Sequence, residues 1–163
     1  MTVPDYTARI AGARSWRVAN TMWARMGGLL WADVILEPWP VGEEYRAKCD
    51  DNPEHRPPAE GCNCGIYAWY TVESLVKEWY KPEDFRHVSG IVSARGDVEL
   101  HDWGWRAEYV RVEAILDDDV PDEDLPIPKR TIADAYGIPM VIPSDYEAFC
   151  EEQGLAIIRP EDL

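Results

Sequence analysis

Pro53, Pro57 and Pro58 lie in the polar stretch from Glu43 to Gly61, and they restrict the fold more than any other feature of the chain. A proline ring fixes φ and removes a backbone donor, so this stretch cannot form a long helix or a central strand. A loop this long inside a domain needs something to hold it. The loop and its flank, residues 43–64, carry three of the four cysteines and one of the three histidines. Cys49, His55, Cys62 and Cys64 are therefore the first candidate site. Zinc takes soft or borderline ligands in a tetrahedron, and Cys₃His is a common structural set. Gly65, after Cys64, lets backbone amides face a thiolate. The usual knuckle has two residues between its cysteines, whereas only Asn63 lies between these. The competing reading makes Cys62 and Cys64 small core residues, with Cys49 and His55 on an exposed loop. Cys150, on a predicted helix, reads as buried and apolar.

Around this loop the apolar pattern predicts a fold. Ser15 to Ala19 alternates as a half-buried strand, after a loosely held start over 1–14. Residues 19–26 suggest a short helix, and Leu29 to Glu37 a strand that Pro38 stops. Ile66 to Tyr70 reads as a buried strand. Thr71 is a good N-cap for a helix over 71–81, with Val72, Leu75, Val76 and Trp79 on one face and Pro82 as its end. Residues 88–94 and 105–116 read as long strands, with a turn at Arg95-Gly96-Asp97 and a short strand over 98–101. The apolar face switches after Tyr109, which predicts a bulge there. Beyond residue 117 the pattern predicts a helix from Thr131 to Tyr136, a strand at Met140 to Ile142, a helix from Ser144 to Gln153 and a last strand at Leu155 to Ile158. A helix-turn-helix over 129–155 is the alternative, opposed by Pro139 and Pro143. The expectation is an α+β fold: a bent, mainly antiparallel sheet with a central helix and a small helical C-terminal segment. Residues 1–116 form the main domain, and 117–163 an acidic linker and a C-terminal segment packed on it.

Charge narrows the function. The chain of 163 residues has a net charge of −15. Residues 117–163 hold 13 acids against 3 bases. Nucleic acid and anionic membranes are repelled by such a field, and a basic protein is attracted. The plainer reading is a charge that keeps the chain soluble. Met1-Thr2-Val3-Pro4-Asp5 lacks the basic start and apolar run of a signal peptide, which predicts a cytoplasmic protein with reduced thiols. Eight Trp and eight Tyr stand against two Phe. Their polar handles suit sheet edges and interfaces.

Several motifs occur in a fixed order: Ser15-Trp16-Arg17-Val18, Ala47-Lys48-Cys49, Cys62-Asn63-Cys64-Gly65-Ile66-Tyr67-Ala68, Gly90 with Gly96, and His101-Asp102-Trp103-Gly104-Trp105-Arg106-Ala107-Glu108-Tyr109. The set resembles a family of uncharacterised actinobacterial and actinophage proteins over residues 15–116. The resemblance implies a host group and a shared domain, and it brings no activity and no catalytic residue.

Two further clusters bear on function. His101 with Asp102, Arg106, Glu108 and Tyr109 has the groups for acid–base work. The plainer reading is a cross-strand ion pair on a solvent face, with Trp103 and Trp105 packed at a bend. Asp117, Asp118, Asp119, Asp122, Glu123 and Asp124 lack the alternation and glycine of a calcium loop, so mimicry of nucleic-acid charge fits them better. The leading expectation is a non-catalytic interaction or regulatory protein that engages a basic or host protein. Its contact residues would be Trp103, Trp105 and the six acids. The rivals are a small-molecule enzyme with His101, Glu108 and Tyr109 around a pocket, and a zinc-containing nucleic-acid-binding module.

Overall fold

Alternating apolar residues from Val88 to Leu116 form one long antiparallel hairpin, and the other strands assemble on it. The structure is a computed structural model that describes residues 8–20, 28–32, 37–79 and 87–163. Its strands are β1 (Ile10–Val18), β2 (Leu30–Trp31), β3 (Tyr45–Arg46), β4 (Ile66–Trp69), β5 (His87–Leu100), β6 (Gly104–Leu116) and β7 (Met140–Val141). The helices are α1 (Val72–Trp79), α2 (Lys129–Tyr136) and α3 (Tyr146–Glu152). The fold is α+β with a mainly antiparallel sheet, as expected. Among the described residues its one parallel pair of strands is β6 with β7.

The pairing returns to its starting point. β1 runs along β5 from Ile10↔Ala94 to Arg17↔His87, and β5 runs along β6. The other edge of β6 takes β4, from Ile66↔Ala107 to Trp69↔Gly104, and then β3 at Tyr45↔Val110. β4 in turn meets the free edge of β1 at Ala13↔Trp69. The four strands β1, β5, β6 and β4 therefore close on themselves. Closure removes edges that would otherwise pair with other chains.

Large aromatic side chains fill the closed sheet. Trp16, Trp39 and Trp105 are buried almost completely. Trp105 donates from Nε1 to the Ala11 carbonyl at 2.9 Å, which ties β6 to β1. Trp16 meets Trp39 edge to face, and Trp39 stacks on Tyr45. The C-terminal segment completes this core, because Ile132, Ala133 and Tyr136 of α2 belong to it. Tyr136 donates from its hydroxyl to the Trp39 carbonyl at 2.8 Å. On the outer face, Ala11, Ile91, Ala114 and Leu116 pack against Val141, Tyr146 and Cys150. The reading of Cys150 as a buried apolar residue holds.

Several local expectations change. β1 starts at Ile10, so residues 10–14 are strand and not a loose start. Arg95-Gly96-Asp97 is no turn. β5 continues through it with a register shift between Arg95 and Val98, opposite Tyr109 and Ala107. That shift is the irregularity expected at Tyr109. The chain reverses instead at His101 to Trp103, where the His101 amide donates to the Gly104 carbonyl at 2.8 Å. Thr71 caps α1 as expected: its Oγ1 accepts from the Ser74 amide at 3.0 Å. α2 begins two residues early, at Lys129. Met140–Val141 pairs with β6, and this removes the helix-turn-helix reading. The segment 155–158 makes a bridge at Ala156 to Ile10 but no longer strand. Residues 21–26 of the expected short helix, residues 33–36 of the expected second strand, the Trp79 side chain and Pro82 lie outside the described residues.

Gly12 shows how tightly the closed sheet is packed. A Cβ there would lie 2.7 Å from the Trp105 ring and 2.9 Å from the Ala68 methyl. Neither neighbour is a mobile chain end. Gly12→Ala is therefore expected to destabilise the fold by about 1–3 kcal/mol, the usual range for overpacking. Urea unfolding followed by tryptophan fluorescence measures the loss.

Candidate metal centre and adjoining cavity

Cys49, His55, Cys62 and Cys64, predicted from spacing in the chain, converge in space. One ligand atom from each lies within 4.8 Å of all the others. Cys49 Sγ is 3.5 Å from His55 Nδ1 and 3.7 Å from Cys62 Sγ. A tetrahedral zinc with Zn–S of about 2.3 Å and Zn–N of about 2.0 Å has S···N edges near 3.5 Å and S···S edges near 3.8 Å. Both distances match those edges. The competing reading of small core cysteines fails for Cys62 and Cys64, which are only partly buried, whereas Cys49 is 7% exposed.

Local turns set this geometry. The His55 amide donates to the Asn52 carbonyl at 3.0 Å, and the Glu54 amide to Asn52 Oδ1 at 3.0 Å. The Cys62 amide donates to the Ala59 carbonyl at 3.1 Å. Gly65 follows at φ 126°, a conformation that side chains rarely adopt, and lies against the Arg106 stem. The short Cys62–Asn63–Cys64 spacing thus works through this left-handed residue. The Cys64 amide, then His55 and Cys49, hydrogen-bond the Cys62 sulfur and bring its pKa down to about 7. Burial moves the Cys64 thiol upward. Thiolates are the metal-binding form, so Cys62 is the more readily ionised donor of the two.

Two buried charges on β6 hold the loop to the sheet. Arg106, 4% exposed, donates to the carbonyls of Cys62, Cys64 (3.0 Å) and Ala59 (3.3 Å). It also donates to Glu99 Oε2, at 2.7 Å across the hairpin. Glu108, 1% exposed, accepts a fork from Arg56, with Nε at 3.2 Å and Nη2 at 3.0 Å. Arg56 directly follows His55. The expected cross-strand ion pair on β6 exists as Arg106 with Glu99. The expected solvent face does not, because the proline-rich loop covers it.

The second cluster is divided in this arrangement. His101 lies 3.5 Å from Glu99 and stacks on Tyr67. Glu108 is held by Arg56, and Tyr109 lies between the guanidinium groups of Arg46 and Arg95. Of the three residues expected around a pocket, only His101 lines the cavity described below. The expected contact residues separate as well. Trp103 is 60% exposed, but Trp105 is fully buried and is a core residue, because its indole is drawn into the closed sheet. In the acidic run, the buried Lys129 ammonium donates to the Asp118 and Val120 carbonyls, both at 2.8 Å, and to Asp118 Oδ1 at 3.2 Å. It is 3.7 Å from Asp117. Asp122 Oδ1 accepts from the Lys129 amide at 3.0 Å. Asp119, Glu123 and Asp124 are exposed.

A cavity that the sequence reading missed adjoins the cluster. Its volume is about 680 Å³, and Cys49 and Cys64 form part of its wall. Trp39, Tyr45, Tyr67, Trp69 and Trp103 supply aromatic surface, and Glu37, Asp50 and Asp51 supply carboxylates. Its wall includes Arg14 and Ser15 of β1 and Ile66 to Trp69 of β4, beside the bridging pair Ala13↔Trp69, residues far apart in the chain. Only the abundance of Trp and Tyr hinted at it. Comparison with protein-family models, curated proteins and solved structures finds no match for the chain.

Arg106 holds Glu99 below the usual carboxylate range. For Glu108, burial is the largest effect and acts upward, but the Arg56 fork, the Asp97 amide and Arg46 together outweigh it and the net shift is downward. A lowered folded pKa gives stability that is present above the ordinary value near 4.5 and lost as pH falls below it. Glu99→Gln and Glu108→Gln are expected to be less stable than the parent at neutral pH. The difference should shrink as pH falls from about 5 to about 3, as urea unfolding across a pH series would record.

Proposed function

We propose that this chain is a zinc-fastened interaction protein that engages a basic segment of another protein. The observation that carries the reading is the mouth of the cavity. It exposes Tyr67 (45%) and Trp103 (60%), large aromatic side chains at the rim of a concave, mostly apolar surface. Exposed aromatics of this kind anchor interfaces, and a cavity of this size lies in the range of binding sites. The net charge of −15 favours a basic partner and disfavours nucleic acid. Among the described residues no helix is long and apolar enough to cross a membrane. The sequence likeness directs the search for a partner to actinobacterial hosts and their phages.

Zinc is the metal that suits three thiolates and an imidazole. Four protein donors leave no open position for a reacting water, so the role is structural. Cys49, His55, Cys62 and Cys64 would hold the ion. The ion would take over the fastening of the loop where Arg106 and Glu108 leave off, and so would stiffen the cavity wall.

Elemental analysis of the purified protein is expected to give one zinc per chain, and Cys64→Ser to give far less. Cobalt substitution should give the visible absorption of a tetrahedral thiolate site. Parent protein free of zinc that gains none on reconstitution ends the metal reading.

A pull-down from actinobacterial lysate is expected to enrich a basic protein at low and moderate salt. No enrichment over a control resin in either condition overturns the interaction reading.

A further inference from the structure

We propose that the cavity beside the Cys/His cluster receives a lysine or arginine side chain from the partner's basic segment. This rests on the interaction reading above and names the group recognised. An apolar wall suits the methylene stem of such a side chain, and aromatic faces attract its charged end. The protein already shows such a contact at this wall, where the Arg14 guanidinium lies 5.2 Å from the Trp39 ring centroid. Tyr67 and Trp103 remain exposed at the mouth.

The charges around the cavity decide between a cationic and a neutral guest. Five charged side chains line it: Arg14, Glu37, Lys48, Asp50 and Asp51. Both cations are engaged. Arg14 donates to the Tyr67 carbonyl and covers Trp39. Lys48 lies 4.0 Å from Glu37, with its side chain 71% exposed. Glu37 also accepts from the Tyr45 hydroxyl. Asp50 and Asp51 are exposed and have no ion-pair partner among the described residues. They directly follow Cys49, so the metal loop fixes where these two carboxylates stand. A cation entering between the aromatic residues and this pair meets uncompensated negative charge, and the charge of the whole chain draws it in.

Four blocked pentapeptides test the assignment. They share one neutral sequence and carry arginine, lysine, citrulline or norleucine at the centre. Each is titrated into the zinc-loaded full chain while the indole N–H signals of Trp69 and Trp103 are followed by NMR. The arginine and lysine peptides should move these signals and bind about fivefold or more tighter than the neutral pair. Raising the ionic strength should weaken them, and Asp50→Asn with Asp51→Asn, in a variant with an otherwise unchanged spectrum, should abolish the preference. Trp103→Ala should weaken all four. Equal affinity for the neutral peptides, a preference that survives the double substitution, or no movement of either indole at millimolar peptide overturns the proposal. If the lysate partner still binds Trp103→Ala and the double variant as well as it binds the parent, this assignment falls and the interaction reading stands. If no partner is captured, the interaction reading falls.

Discussion

Arg106 and Glu108 lie two residues apart on one face of β6, and both are turned away from water by the loop they hold. A guanidinium and a carboxylate buried this deeply depend on the hydrogen bonds that replace water. Through its two Nη groups Arg106 finds three carbonyls of the loop and one carboxylate of β5, while its buried Nε has no partner among the described residues. Glu108 finds the fork of Arg56. The dependence runs in both directions. The loop cannot lift without stranding the two charges, and without the charges the proline-rich chain has few backbone donors with which to join the sheet. The gathering of Cys49, His55, Cys62 and Cys64 follows from this, since the residues held are Cys62 and Cys64 themselves, Ala59, and Arg56 beside His55.

Closure of the sheet supplies the rest of the site. β6 carries β5 on one edge and β4, β3 and β7 in succession on the other. Between β3 and β4 the chain must leave and return, and the loop with the Cys/His cluster is that excursion. β1 pairs with β4 at Ala13↔Trp69, and a gap opens beside that pair. The gap is lined by whatever side chains the neighbouring strands present, and in this chain those are tryptophan and tyrosine. The Cys/His cluster and the aromatic cavity are thus two consequences of one topology, and Cys49 and Cys64 belong to both.

Much of this is legible in the sequence. The Cys/His cluster follows from three thiols and an imidazole in a loop that needs support. The long hairpin, the cap at Thr71 and the irregularity at Tyr109 followed from period and side-chain type. The departures from expectation around the site share one cause. Alternation along β6 marks Arg106 and Glu108 as lying on the face opposite Trp105, and a polar face opposite a core is ordinarily wet. Nothing local says that a distant segment covers it. The same reason applies to Trp105: next to Trp103 in the sequence pattern, it looks like half of a surface pair until β1 is placed against it. The acidic run had a similar blind spot, because Lys129 lies beyond it in the chain and its burial depends on how α2 docks.

The amino-acid sequence alone determined which chemistry is available: the four donors, the strand and helix periods, the excess of acid and the stock of tryptophan and tyrosine. These are properties of composition and near neighbours, and they act over a few residues. Only the tertiary structure decided which polar face is covered, which tryptophan remains in water and where a cavity opens, because those outcomes depend on contacts between strands tens of residues apart. Burial is set by the packing partner, and a short stretch of sequence does not specify that partner.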